Sequence, residues 1–174
     1  VTIGPRCHVV CLDSAAGTFR WGMDLQQEYG TTEPLWYTGQ CPVIDNNVAV
    51  IAVGGKSLLM GVDCATGNIV WETPNRDSLK MSHSSVVPMT IDGKKMYVYN
   101  ALGGLCGISA EPGDMGRLLW VNKEFSPNVI AHSPVYVGQN RIFVTAGYGA
   151  GAALLEVSRN GDGFSAQIRQ MYKP

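Results

Sequence analysis

A pattern of Asp, Gly and Trp at fixed spacing occurs twice in this chain and constrains the fold more than any other feature. A looser third copy ends at Gly116 and Trp120. The three tryptophans lie about 50 residues apart, a period typical of stacked arrays of similar structural units. The two regular copies consist of Asp13, Gly17, Trp21 and Asp63, Gly67, Trp71.

The segments around each copy repeat in the same order, so the period belongs to a whole structural unit. Each unit has an opening strand, a polar turn, a β-prone run that ends in glycines, a third run that leads into the Asp and Gly turn, and a fourth run. Clusters of Asp, Asn and Gly between apolar runs are typical of hairpin turns. The polar turns lie at residues 45–47, 92–94 and 138–140. Each unit is therefore predicted to be a four-stranded antiparallel meander.

Helical periodicity is missing from every window of twelve or more residues that is free of Gly and Pro. The 21 glycines and 9 prolines separate short strands, and an apolar content of 45% is ample for a core. Four-stranded units at this period predict an all-β fold, a β-propeller of four-stranded antiparallel blades. The chain supplies about three and a half blades, at residues 1–25, 38–75, 82–124 and 131–172. We expect the remaining blades to come from a longer chain or from a second copy.

The repeated pattern has a structural interpretation. Gly17 and Gly67 provide the positive φ of a tight turn, while Asp13 and Asp63 bond backbone donors of the same turn. Each tryptophan then lies on the next strand, where its ring, with up to about 250 Å² of surface, covers the face of a neighbouring blade. We expect the following residues to join the blades: Asp13, Gly17, Trp21, Asp63, Gly67, Trp71, Gly116 and Trp120.

The sequence around these residues, from Val10 to Trp21 and from Gly61 to Trp71, resembles the tryptophan-docking repeat of pyrroloquinoline-quinone-type propellers. Segments 81–85, 93–99, 141–144 and 147–151 resemble a bacterial subgroup of quinoprotein-like repeat proteins. The repeat is shared by quinone-dependent dehydrogenases and by non-enzymes such as the scaffold lipoprotein of the outer-membrane barrel-assembly machinery. The resemblance implies an exported, periplasmic protein.

Two functions follow from this resemblance. The first is a non-enzymatic binding or scaffolding propeller without a cofactor. The alternative is part of a dehydrogenase that oxidises alcohols or sugars with pyrroloquinoline quinone and calcium. Such enzymes use an adjacent Cys-Cys pair, acidic and amide calcium ligands, and an Asp base. No adjacent cysteines occur among Cys7, Cys11, Cys41, Cys64 and Cys106. The chain therefore favours the non-enzymatic function, and no catalytic residue is predicted.

The charge of the chain excludes some partners. A net charge of −1 and an isoelectric point near 6.3 provide no basic surface for nucleic acid. No apolar stretch is long enough for a transmembrane segment, and no signal peptide is visible. The partner that we expect is therefore a protein or a small polar ligand.

Aligned positions before the opening strands predict a candidate ligand site. Gln40, His83 and His132 occupy equivalent positions in three successive units. Opening strands lie nearest the axis of a propeller, so these side chains would converge on one mouth of the channel. They could bind a small anion or a polar ligand, or each could bond the backbone of its own strand. No carboxylate joins the set, so a metal site is not predicted.

Trp36 and Tyr37 form an aromatic pair in the connection from residue 30 to 39. The pair could stack over the channel or pack against the blade edge. The turns of the third and fourth units depart from the pattern, with Ser109 in place of Asp and with Asn160-Gly161-Asp162-Gly163 followed by no Trp. Both turns are expected to be enlarged loops, which carry function more often than tight turns do.

Overall fold

The computed structural model describes residues 1–174 and consists of four antiparallel sheets. No helix in it is both long enough and apolar enough to cross a membrane. The bounds of the elements are β1 Thr2–Ile3, β2 His8–Leu12, β3 Phe19–Asp24, α1 Leu25–Tyr29, β4 Val43–Asp45, β5 Val48–Ala52, β6 Ser57–Asp63, β7 Ile69–Pro74, β8 Val87–Ile91, β9 Lys94–Ala101, β10 Gly104–Ser109, β11 Leu118–Asn122, β12 Val135–Gly138, β13 Arg141–Ala146, β14 Gly151–Asn160 and β15 Gly163–Tyr172.

Each sheet is a meander in which every strand pairs with the next strand along the chain. Strands β1 to β3 form the first sheet, and the other three sheets have four strands each: β4 to β7, β8 to β11, and β12 to β15. The predicted all-β propeller architecture of four-stranded blades is therefore confirmed, and the four sheets do not close into a ring.

The three predicted polar turns are tight hairpin connections. Both central residues of each turn have positive φ, the geometry that matches the twist of the flanking strands. Asn, Asp and Gly adopt this conformation more easily than other residues, which explains most of the composition of these turns. The residues concerned are Asn46, Asn47, Asp92, Gly93, Gln139 and Asn140.

Two local features differ from the sequence-based expectations. The fourth turn is not enlarged, because Asn160 pairs with Gly163 across a two-residue connection and the adjacent strands each extend to ten residues. The residues assigned to a loop lengthen the hairpin instead. The chain also contains one short helix, α1. Its N-terminus is capped by the Asp24 carboxylate, which accepts from two backbone N–H groups, and Gly30 ends it in the left-handed conformation.

The core is divided into three apolar layers, one between each pair of successive sheets. Strand β5 shows why: Ala49 and Ile51 belong to the layer shared with the first sheet, while Val50 and Ala52 belong to the layer shared with the third. Alternate side chains of a strand point to opposite faces, so a strand between two neighbours is apolar throughout. The third layer lies between the third and fourth sheets and includes Trp120.

Candidate binding site

The two regular copies of the repeated pattern form the same turn. The Asp13 carboxylate accepts hydrogen bonds from the backbone N–H groups of the two residues Ala15 and Ala16, at 3.0 and 2.9 Å. Asp63 accepts equivalent bonds in the second sheet. The N–H of Ala16, followed by the Arg20 side chain, lowers the pKa of Asp13 to about 2. Both acidic side chains therefore stabilise turns.

Each tryptophan of these copies lies over the glycine turn of the following sheet. Trp21 Nε1 donates to the Cys64 carbonyl oxygen at 2.9 Å, and a Cβ at Gly67 would lie 2.7 Å from Trp21 Cγ. Trp71 repeats the glycine contact without the hydrogen bond, since a Cβ at Gly116 would lie 2.9 Å from its Cε3. The glycines therefore provide both positive φ and room for an indole ring.

The third copy lacks the contact with the following turn, since nothing lies within 4 Å of a Cβ at Gly161. Trp120 lies over Gly107 of its own sheet, as Trp71 lies over Gly61, and its Nε1 donates to Met96 Sδ at 3.3 Å. Ser109 stands at the Asp position, and its hydroxyl bonds the Asp114 carboxylate, which also binds Lys94 Nζ at 2.7 Å. The inserted residues thus restore a carboxylate to this enlarged turn, whose polar groups are paired.

The three residues that were aligned at the channel mouth lie in different environments. Gln40 is buried, with its Nε2 donating to the Ala52 carbonyl at 2.7 Å and its Oε1 accepting from the Ala52 N–H at 3.0 Å. Its amide is therefore occupied by the backbone of β5. His132 is exposed, and its side chain contacts no hydrogen-bond partner. His83 is half-buried and lies against Trp36.

Four aromatic side chains, Trp36, Tyr37, His83 and Tyr148, come together and are called the aromatic group below. The Trp36 and His83 rings stack with centroids 5.9 Å apart, and Tyr148 meets Trp36 at 6.1 Å. Tyr37 approaches His83 edge-on at 5.8 Å. Trp36, Tyr37 and Tyr148 are 58%, 54% and 82% exposed. Large aromatic residues exposed together in this way are typical of a contact surface.

The loop that carries Trp36 and Tyr37 is anchored from below by Thr38. This threonine is buried, its N–H donates to the Pro5 carbonyl at 2.8 Å, and its hydroxyl contacts Cys7 Sγ at 3.0 Å. Burial raises the pKa of the Cys7 thiol, which favours its neutral form. A second fixed point is Cys41, whose N–H donates to Ser85 Oγ at 2.9 Å.

Two members of the aromatic group have a strained backbone. Trp36 has φ +76° and Tyr148 has φ +57°, in the left-handed region that large L residues rarely adopt. Such a conformation costs about 1 to 2 kcal/mol for each residue and persists where the surroundings or the function require it.

The aromatic group lines a cavity of about 320 Å³. Sequence reasoning missed Tyr148, because the glycines around it at 147, 149 and 151 indicated only a turn. An aromatic residue isolated among glycines was the available signal. None of the lining residues is Lys, Arg, Asp or Glu: they are Trp36, Tyr37, Gly39, His83, Val129, Ala131 and Tyr148.

This lining contains no Lys or Arg that could pair with the carboxylates of pyrroloquinoline quinone. All five cysteines are free, with Cys41 the exposed one. No group of three or more His, Cys, Asp or Glu side chains is arranged to hold a metal ion. No step of a quinone reaction can be assigned to these residues.

Comparison with known proteins gives a family. A profile of the pyrroloquinoline-quinone repeat family, described as "Outer membrane protein assembly factor BamB", matches residues 2–162. A search of curated proteins found no significant match. The match includes nearly all of the four sheets, together with both regular copies of the Asp, Gly and Trp pattern. The chain therefore belongs to the pyrroloquinoline-quinone repeat family of β-propeller proteins that the assembly factor BamB represents.

Proposed function

We propose that this protein is a non-enzymatic binding and scaffolding propeller that acts in outer membrane protein assembly. The observation that carries the proposal is the exposed aromatic group of Trp36, Tyr37, His83 and Tyr148. The family description supports a role in outer membrane protein assembly. A protein with this role works in the periplasm or another exported location. Its partner is another protein.

The chemistry of the aromatic group suits a protein partner. Trp and Tyr contribute large contact areas with few rotatable bonds and dominate the binding energy of many interfaces. Here they are held at the ends of well-packed sheets rather than in the core, and two of them keep an unfavourable backbone conformation. The exposed faces of these rings are available to a ligand.

We also propose a division of work among the tryptophans. Trp21 and Trp71 join successive sheets by covering the turns at Gly67 and Gly116. Trp36 binds the partner. The repeated pattern then provides the rigid support that holds the aromatic group in place.

Complementation in the source bacterium tests the proposal. Deletion of the gene should lower the amount of outer membrane proteins, and the wild-type gene should restore it. A W36A/Y148A double variant should fail to restore it while accumulating to the normal level. Leu35→Ala is the matched control, because Leu35 lies in the same loop and is 59% exposed but does not line the cavity.

Two outcomes would contradict the proposal. Full complementation by the W36A/Y148A variant would remove the aromatic group from the function. A tight complex of the purified protein with pyrroloquinoline quinone and calcium, with dye-linked alcohol oxidation, would favour the dehydrogenase instead.

A further inference from the structure

A second hollow shares lining residues with the cavity beside the aromatic group. This hollow has a volume of about 250 Å³ and is lined by residues 126–129 together with Gly147, Tyr148 and Ala150. Tyr148 and Val129 line both spaces. The two hollows therefore lie on either side of one exposed tyrosine and form a groove with an aromatic ridge across it.

The main chain along this groove is largely unpaired. Between residues 125 and 132 a single backbone hydrogen bond is made, in which the Ile130 carbonyl accepts from the His83 N–H at 3.0 Å. The backbone N–H and C=O groups of Val129 and Ala131, which line the first cavity, have no partner within the chain. Unpaired backbone groups beside a groove can bond the main chain of an extended polypeptide.

The side chains along the groove restrict the occupant further. Neither hollow is lined by Lys, Arg, Asp or Glu, so a charged segment would lose hydration without gaining an ion pair. The indole N–H of Trp36 and the hydroxyl groups of Tyr37 and Tyr148 make no hydrogen bond within the protein. They are free donors for carbonyl oxygens of a ligand.

We propose that this groove binds an uncharged, proline-containing segment of the partner protein in the polyproline II conformation; this inference rests on the proposed binding function. A polyproline II segment has three residues per turn and no internal hydrogen bonds, so its carbonyl groups are available to Trp and Tyr donors. Its prolyl rings pack against aromatic faces. Successive turns, about 9 Å apart, occupy the two hollows on either side of Tyr148. The stiff conformation also reduces the entropy lost on binding.

Isothermal titration calorimetry of the full-length protein with acetylated and amidated deca-proline tests the inference. An alternating Gly-Ser peptide of equal length is the control ligand. We expect saturable 1:1 binding of deca-proline only, with Trp36→Ala and Tyr148→Ala each weakening it at least about tenfold, the loss typical of an aromatic anchor. Leu35→Ala should change the affinity less than about twofold.

Three results would overturn the inference: no binding of deca-proline, equal binding of the Gly-Ser peptide, or binding unaffected by both aromatic substitutions. These results would leave the proposed scaffolding function standing if the W36A/Y148A variant still failed to complement the deletion. Full complementation by that variant would overturn the scaffolding function itself, whatever deca-proline does.

Discussion

Trp21 Nε1 donates a hydrogen bond to the carbonyl oxygen of Cys64 across the boundary between the first and second sheets, at 2.9 Å. The same indole ring lies against Gly67, three residues further along the chain. Trp21 is only 9% exposed, so most of its indole ring is removed from water. One side chain therefore connects two blades both through an apolar contact and through a directional bond.

The space that Trp21 occupies can be tested by adding a methyl group at Gly67. Gly67→Ala forces a Cβ within 2.7 Å of the indole at φ +78°, whereas Gly17→Ala imposes a similar φ of +68° with nothing within 4 Å. We expect Gly17→Ala to lower the free energy of unfolding by about 1 kcal/mol, and Gly67→Ala to lower it by a further 1 to 3 kcal/mol. Urea unfolding measures both. Equal losses would show that the indole does not rest on this turn.

Gln40 is expected to be a structural residue. Gln40→Ala leaves the buried N–H and C=O of Ala52 without their partners and should lower the free energy of unfolding by about 2 to 4 kcal/mol. His132→Ala should change it by less than about 0.5 kcal/mol, because His132 is exposed. Thermal unfolding of the two variants distinguishes them. A small loss for Gln40→Ala would return this side chain to the candidate ligand site.

Tyr148 is expected to lower the stability of the fold while it contributes to partner binding. Its ring is 82% exposed and its φ is +57°. Tyr148→Gly relieves the left-handed strain, and the greater freedom of glycine in the unfolded chain offsets only part of the gain. We expect the free energy of unfolding to rise by about 0.5 to 1 kcal/mol while partner binding is lost. A fall of more than about 1 kcal/mol would mean that Tyr148 supports the fold.

Acid should weaken the turn at Asp13 in a defined range of pH. The Ala16 N–H and the Arg20 side chain lower the pKa of Asp13 in the folded protein to about 2, from an ordinary value of 3.8. The stabilising contribution is complete above the ordinary value and is lost as the pH falls through about 2. A carboxyl NMR titration measures the midpoint. Arg20→Gln should raise it but leave it below 3.8, since the backbone donors remain; a wild-type midpoint near 3.8 would contradict the turn geometry.

The fold could be predicted because its signals are local. Asn46-Asn47 and Asp92-Gly93 have the composition of tight hairpin turns, and the spacing of Trp21 and Trp71 gives the period of the sheets. The fourth turn was predicted wrongly, because a run such as Asn160–Gly163 is compatible with either a loop or a longer hairpin. The pairing of ten-residue strands decided between them.

The candidate site depends on contacts between distant segments, which a sequence does not show. His83 and Trp36 were both identified, but their stacking depends on how two irregular connections pack together. Tyr148 comes from a third segment and had no periodic signal. Gln40 occupied the expected position in its unit, yet its amide bonds the backbone of β5, an alternative that alignment alone left open.

Site-specific photocrosslinking from position 37 tests the binding site most directly. Tyr37 is replaced by benzoylphenylalanine, which keeps an aromatic ring at the wall of the cavity, and living cells are irradiated. We expect an adduct with a protein of the outer membrane assembly process. The adduct should be lost when Trp36→Ala and Tyr148→Ala are added and should persist with Leu35→Ala. An adduct of equal yield in the W36A/Y148A background, or no protein adduct at all, would contradict a protein-binding site at the aromatic group.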